Sequence, residues 1–413
     1  MNLEKIKKLR VDTPQGISGH LNKESRFSFN YLSAEKEVQA SVSLPFRAES
    51  YASGGLFSIF AMNRPEGYLL DSLRHRFGKI SVLDDMALLK ITGKHQIGRL
   101  SYVDETDDIE SKKPNISLDE LRRSQASESL FEYLMDTCFD SGISGFQPKV
   151  MVLESDARPV VNRATAVTPN LIVKSAGAEY PHLTENEFLC MSVARECGFN
   201  VPEFWLSDDS GLFILKRFDS AHDGARLGLE DMCVLGNKTA EEKYHGSYEG
   251  IARVVATICN NESNNDLKNL FEYVATSVLL RNGDAHLKNF SVLYEHPGKQ
   301  ISLSPLYDVV TTAVYGVTNA RTGMNLVDRT LALNLNKTKN YPDVETLCEF
   351  GRKSCLIDNP DQIIERIEEA KIKVLADNRD RIDPDFLLEM RAAWNVGGYR
   401  ASPPIRPRVV NPK

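Results

Sequence analysis

Residues 281–291 read RNGDAHLKNFS. A glycine, an aspartate, a histidine, a lysine and an asparagine fall between positions 283 and 289, directly after an apolar run. That run, DLKNLFEYVATSVLL, carries apolar side chains at 267, 270, 271, 274, 278 and 279, the spacing of one helix face. Downstream come FSVLY, the turn EHPGK and ISLSPLYD. The frame is a buried helix, a polar loop, a short hairpin and then Asp308. A hairpin returns the chain to its starting point, so Asn289 at its entry and Asp308 at its exit are expected side by side.

An amide oxygen and a carboxylate converging in this way suit Mg²⁺, a hard cation that takes oxygen ligands and keeps water or phosphate in its other positions. Asp284 lies five residues before Asn289. That is the spacing of the catalytic aspartate and the metal-binding asparagine in protein kinases, where the aspartate accepts the proton of the attacking hydroxyl. His286 either orients Asp284 or fills a polar slot in the core. Lys288 either reaches a phosphate or is solvated.

Upstream, SGISGFQPKVMVL places Gly142 and Gly145 before a strand, KVMVL, where a glycine-bearing turn could cover phosphates. A second strand, PNLIVK, ends at Lys174, as the phosphate-contacting lysine of a kinase does. A helix follows, with Thr184 and Glu187 spaced as a capping box and Gly198 at its C-terminal end. Glu187 therefore either pairs with Lys174 or caps its own helix. EFWLSDDSGLFILKRFD reads as a hairpin turning at Asp208–Gly211, with Asp219 in a hinge or structural position. A P-loop ATPase is disfavoured, because the glycines open a strand and not a helix. Zinc is disfavoured because no second His or Cys stands at ligand spacing from His286.

The whole chain agrees with a multidomain globular enzyme. It has 413 residues, 42% apolar and 26% charged, and a net charge of −7. Nucleic acid would need a local patch or a partner. No apolar run approaches the ~18–20 residues of a membrane span, and MNLEKIKKLR does not open a signal peptide. Seven cysteines without a CxxC pair read as free thiols in a reducing cytoplasm. Residues 1–104 mix strand-like runs such as EVQASVSLPF with a helical stretch at GYLLDSLRHRFG. DETDDIESKKPN reads as a linker, 127–140 as a helix, and the chain from 225 onward as mostly helical. The proline-rich basic tail is expected to be extended.

These motifs resemble the HipA family of bacterial toxin kinases. The resemblance rests on SLPF, RPEGYLLDSL, SGISGFQPKV, LIVK, ENEF, GFNVPE, KRFD, GDAHLKNFS and SPLYDVV, and spans nearly the whole chain. It implies an α+β, bilobal protein-kinase-like fold with a β-rich N-lobe, a mostly helical C-lobe and an added N-terminal α+β subdomain. The corresponding segments are 1–104 (subdomain), 105–125 (linker), 126–222 (N-lobe with the phosphate loop), 223–399 (C-lobe with the catalytic loop) and 400–413 (tail). It implies an ATP-dependent serine/threonine kinase with Asp284, His286 and Lys288 in the catalytic loop. Asn289 and Asp308 would hold Mg²⁺. Lys174, Glu187, Gly142, Ser144, Gly145, Gln147 and Lys149 would bind ATP.

The resemblance further implies a HipB-like helix-turn-helix antitoxin that carries the operator-DNA contact. It also implies a protein substrate such as an aminoacyl-tRNA synthetase. The sequence departs from the family where an autophosphorylated serine often opens the phosphate loop. Gly142 stands there, and Ser144, alternatively Ser141, takes its place. ITGKHQIGRL also departs from the usual N-terminal pattern. The competing readings are a small-molecule phosphotransferase of the aminoglycoside- or choline-kinase type, and a non-catalytic corepressor.

Overall fold

In KLRVDT the apolar residues alternate, and Leu9 and Val11 point inward from β1 (Lys8–Thr13) while their neighbours stay wet. This is the start of the N-terminal unit in a computed structural model. It describes residues 6–64, 70, 83–93, 96–104, 117–125, 127, 130, 163–167, 170–176, 180–221, 223–259, 265–318, 325–327, 329–396 and 406–407. β2 (Gly16–Lys23), β3 (Phe27–Tyr31), β4 (Tyr51–Ser53) and β5 (Ser101–Val103) complete an antiparallel sheet in the order β4-β3-β2-β1-β5. The short α1 (Ser58–Ala61) and α2 (Asp85–Thr92) cover it, and Asp84 caps α2 by accepting the Ala87 N–H. The small core contains Leu21, Phe29, Phe60, Met86 and Tyr102, and is completed by Leu229 and Val234 from far along the chain.

EVQASVSLPF (37–46) is not a strand. After a 3₁₀ turn at Lys36–Val38 its backbone binds side chains: Ala40 N–H donates to the Tyr31 hydroxyl and Val42 N–H to the Glu230 carboxylate. Side-chain acceptors have replaced a neighbouring strand, while Val38, Ala40 and Leu44 still bury their apolar groups.

α3 (Leu118–Arg122) leads to a second sheet, built from β6 (Arg163–Val167), β7 (Leu171–Ala176), β8 (Phe204–Leu206) and β9 (Leu212–Lys216) in the order β6-β7-β9-β8. Lys174 pairs opposite Phe213 on the central pair of strands, and β7 continues two residues beyond it. α4 (Leu183–Glu196) packs on this sheet. Its N-cap is His182, in the left-handed region, and not Thr184. Thr184 lies inside the helix and donates to the Ser210 carbonyl at 2.6 Å, so the capping box does not form.

Beyond residue 225 the chain carries more strand than expected. β10 (Gly228–Asp231), β11 (Ser291–Tyr294) and β12 (Ile301–Leu303) form an antiparallel sheet. The strands Tyr315–Thr318, Asn325–Val327, Thr330–Leu335 and Thr338–Asn340 follow. In the tail, Arg406–Pro407 pairs parallel with Tyr315–Gly316. The helices are α5 (Met232–Leu235), α6 (Tyr248–Ile258), α7 (Asn265–Leu279), α8 (Val344–Ser354), α9 (Pro360–Asp377) and α10 (Pro384–Ala393). They share one large core with α4, from Leu189 and Phe213 through Phe271 and Phe290 to Trp394. The expected helix at GYLLDSLRHRFG, apart from Leu70, lies outside the described residues, as do the strand KVMVL and most of the linker and of 127–140. The cysteines at 190, 197, 233, 259, 348 and 355 are free thiols. Among the described residues no helix is long and apolar enough to cross a membrane.

Candidate active site

α7 ends in a turn that aims the polar loop. Arg281 adopts φ 57°, and the Asn282 N–H reaches back to the Ser277 carbonyl at 2.8 Å while the Arg281 N–H bonds the Val278 carbonyl. This is the Schellman closure of a helix, with arginine where glycine is usual. Thr312 pins the turn: its N–H donates to the Arg281 carbonyl at 3.0 Å and its hydroxyl accepts the Gly283 N–H at 2.9 Å. Residues 283–289 then fold back beneath the second sheet. The Tyr248 hydroxyl donates to the Ala285 carbonyl at 3.0 Å and fixes the loop from below.

The β11–β12 hairpin brings Asn289 and Asp308 together. Asn289 Nδ2 donates to Asp308 Oδ2 at 2.6 Å, and Asn289 Oδ1 accepts the His286 N–H at 3.0 Å. The side-chain oxygen is therefore turned away from Asp308, contrary to the expected meeting of two oxygens. Asp308 is held at φ 62°, a left-handed conformation that aspartate tolerates better than most side chains. Burial among Ser291, Phe218 and the loop pushes the neighbouring Tyr307 hydroxyl well above its usual range, so it stays protonated and bonds Ser291 Oγ at 2.8 Å.

Lys174 joins the two halves of the site. Its Nζ lies 2.6 Å from Glu187 Oε1 and 2.8 Å from Asp308 Oδ1. All three side chains are at most 10% exposed. Removing Lys174 from this buried group would cost about 3–5 kcal/mol, because two carboxylates would be stranded, whereas losing one carboxylate leaves Lys174 paired with the other. Glu187 thus serves Lys174 and not its own helix cap.

Asp284 stands at the other end of the loop, with its side chain 12% exposed. The Tyr244 hydroxyl donates to its Oδ1 at 2.8 Å. His286 is fully buried, edge-on to the Tyr244 ring, with Nε2 3.9 Å from Asp284 Oδ1, beyond hydrogen-bond reach. It packs beneath the loop, and Tyr244 is a side chain that hydrogen-bonds the Asp284 carboxylate.

Lys288, Lys174 and Asp308 line one cavity whose remaining walls are mainly apolar: Ile172 and Leu215 above, Phe218 and Leu229 beside, and Met62 and Ile97 from the N-terminal unit. This is the form of a small-molecule site, apolar with a few convergent polar groups. Asp219, at the cavity edge, is held by structure. Burial alone would raise its carboxyl, but the Arg217 guanidinium at 2.6 Å and the Gly98 N–H at 2.7 Å outweigh burial and hold it below the usual range.

Two positioning residues escaped sequence reasoning. Tyr244 is 40 positions from Asp284 in the chain, and no local motif marks it. Asn186 clamps α4 to the segment after Asp308: it donates to the Thr311 carbonyl at 3.0 Å and accepts the Thr311 N–H at 2.8 Å. ENEF did mark its neighbourhood. Ser141, Gly142, Ser144, Gly145, Gln147 and Lys149 lie outside the described residues. A carboxylate and an amide are donor types for a hard cation. Among the described residues no group of three His, Cys, Asp or Glu side chains forms a metal cage. These donors fit an ion that completes its shell with water and phosphate.

The chain matches the HipA N-terminal domain over residues 9–103 and the HipA-like C-terminal domain over 141–376. It belongs to the HipA family. A putative kinase of Haemophilus influenzae is 33% identical over 194 residues, covering 42% of this chain and 53% of that protein. Putative kinase Y4dM of Sinorhizobium fredii is 31% identical over 215 residues, covering 48% and 49%. The aligned part spans about half the length of these curated relatives. Among solved structures, HipA of Shewanella oneidensis MR-1, described in a toxin–antitoxin complex with HipB and operator DNA, is similar with a TM-score of 0.67 at 19% identity, over 94% of this chain and 95% of that one. That likeness shows a shared α+β fold.

Proposed function

We propose that this protein is an ATP-dependent serine/threonine protein kinase and the toxin of a toxin–antitoxin pair. The observation that carries the reading is the bridge from Glu187 through Lys174 to Asp308, with Asp308 also bound to Asn289 and with Asp284 on the same loop. In this reading Lys174 exchanges a carboxylate for a nucleotide phosphate. Asn289 and Asp308 hold Mg²⁺, which neutralises charge on the transferred phosphoryl group. Asp284, oriented by Tyr244, accepts the proton of the attacking hydroxyl. The apolar cavity walls take the base of ATP. Almost all the rate gain in such chemistry comes from positioning and electrostatics, which a rigid, buried charge set supplies.

The test is transfer of ³²P from labelled ATP into lysate proteins, with the acceptor found by mass spectrometry. Label on serine or threonine in the wild type, and none with Asp284→Asn, is expected. Transfer to aminoglycosides or choline without any to protein would overturn the protein-kinase reading. An aminoacyl-tRNA synthetase is the proposed acceptor, and the cytoplasm the proposed compartment. The net charge of −7 supports a HipB-like partner as the DNA-binding member. The isolated chain is then expected to lack salt-dependent operator binding and the complex to show it. Ser144, with Ser141 as the alternative, is the proposed autophosphorylation site, read by peptide mapping after incubation with ATP.

A further inference from the structure

A second cavity, which shares no lining residue with the cleft, collects four arginines: Arg122 and Arg123 at the end of α3, Arg195 in the last turn of α4, and Arg381 in the turn between α9 and α10. Two carboxylates, Asp119 and Asp208, share its walls. The local balance is +2 in a chain where 57 acids outnumber 50 bases and the net charge is −7. Among the described residues, none of the four guanidiniums has a carboxylate within ion-pair distance.

Two of the four are also held in place. Arg381 donates to the Leu206 carbonyl at 2.6 Å and lies 4.9 Å over the Phe188 ring. Arg195 lies 4.3 Å over the Phe204 ring. Stacking of this kind fixes the planar fork while leaving donors free to meet an anion. Hydrogen bonds tie the other side down: the Asp208 N–H donates to the Arg122 carbonyl at 2.8 Å, and the Ser127 hydroxyl donates to the Asp209 carboxylate at 2.6 Å. Trp205 faces the same cavity, half-buried.

We propose that this cavity binds a small anion carrying two or more linked phosphates. Four guanidinium forks on three separate elements can embrace an oligophosphate, which a single phosphate would not span, and each fork matches phosphate oxygens two at a time. Burial lowers the affinity of Arg195 and Arg381 for their protons; Asp208 partly offsets this at Arg381 and Glu196 at Arg195, and Arg122 adds repulsion at Arg381. An anion relieves both costs. The alternative is a basic surface that is merely solvated.

The chain has two tryptophans, and Trp394 is 1% exposed and bonded to Thr311, so a change in emission on titration reports Trp205. The full-length protein is titrated with sodium pyrophosphate at constant ionic strength. A saturable change is expected, absent in Trp205→Phe. It should weaken at least about tenfold in Arg122→Gln/Arg123→Gln, about 1.4 kcal/mol. Both arginines are exposed, so the fold survives their replacement, which circular dichroism checks. Lys174→Gln, which damages the cleft, should leave the response intact, separating this site from the proposed ATP site. GDP in a parallel titration distinguishes the source: tighter binding than pyrophosphate assigns a nucleotide stacked on Trp205, and equal binding assigns a free oligophosphate. An equal response to sodium chloride, or unchanged affinity in the double variant, would overturn the proposal.

Discussion

Asp308 in the cleft and Glu230 beneath the N-terminal sheet are both buried carboxylates, 10% exposed in side chain and 0% exposed respectively, yet they are satisfied in opposite ways. Asp308 faces a cation, Lys174, and an amide across a cavity. Among the described residues Glu230 meets neutral hydrogen-bond donors, including the Val42 N–H at 2.7 Å, the Ser41 hydroxyl at 2.9 Å and the Tyr294 hydroxyl. Burial accordingly pushes the Glu230 carboxyl up despite those donors. A carboxylate beside a mobile ligand keeps its charge ready and can change partners. A carboxylate used as a fixed acceptor sews the N-terminal unit to β10, and its charge is a cost.

The sharpest break of this contrast is Asp308→Asn. Phosphoryl transfer should fall by on the order of 10³-fold, because charge stabilisation is lost where it matters most, while the unfolding midpoint moves little. Labelled-phosphate assays and urea titration read the two effects separately. Glu230→Ala should do the reverse. It strands the Val42 N–H and two hydroxyls, so stability falls by about 2–4 kcal/mol in urea unfolding, with transfer per folded molecule nearly preserved. Equal loss of activity and stability in both variants would erase the distinction.

Asn186→Ala removes two hydrogen bonds between α4 and Thr311 without touching a charge. Transfer should drop about tenfold through misplacement of Glu187, and the Lys174–Glu187 double-mutant coupling should shrink with it. Tyr244→Phe takes one donor from Asp284, and a loss of about three- to tenfold in kcat with KM for ATP unchanged is expected. The smallest effect is on pH. The Glu230 carboxyl sits above its unfolded value of 4.5, so the folded state holds its proton more tightly and this group's contribution is full below 4.5 and lost as pH rises through the folded value. Glu230→Gln should flatten that part of the stability profile, measured by urea midpoints across acid to neutral pH.

Local pattern revealed the elements that depend on near neighbours. α7 showed its face through positions 267–278, and the hairpin at 208–211 through its polar turn between apolar strands. The pair Asn289 and Asp308 was legible because a hairpin obliges its ends to meet. The cap at Thr184 failed because a threonine–glutamate spacing cannot reveal that the Ser210 carbonyl and Lys174 compete for those side chains. EVQASVSLPF failed in the same way: its alternation is real, but the acceptors for its N–H groups are Tyr31 and Glu230, the latter nearly two hundred positions away.

By itself, the sequence determined α7 and the hairpin after it, the loop that carries Asp284 and Asn289, and the family. These rest on spacings of a few residues, which the backbone's own periodicities translate into geometry. Tertiary structure alone decided which partner each buried charge keeps. It turned Glu187 toward Lys174 and the Asn289 amide N–H toward Asp308. It put Tyr244, where His286 was one expectation, on Asp284, and set Glu230 among neutral donors. The reason is desolvation. A buried polar group must find its partner wherever the fold brings one within about 3 Å, and that distance is not written in the spacing along the chain.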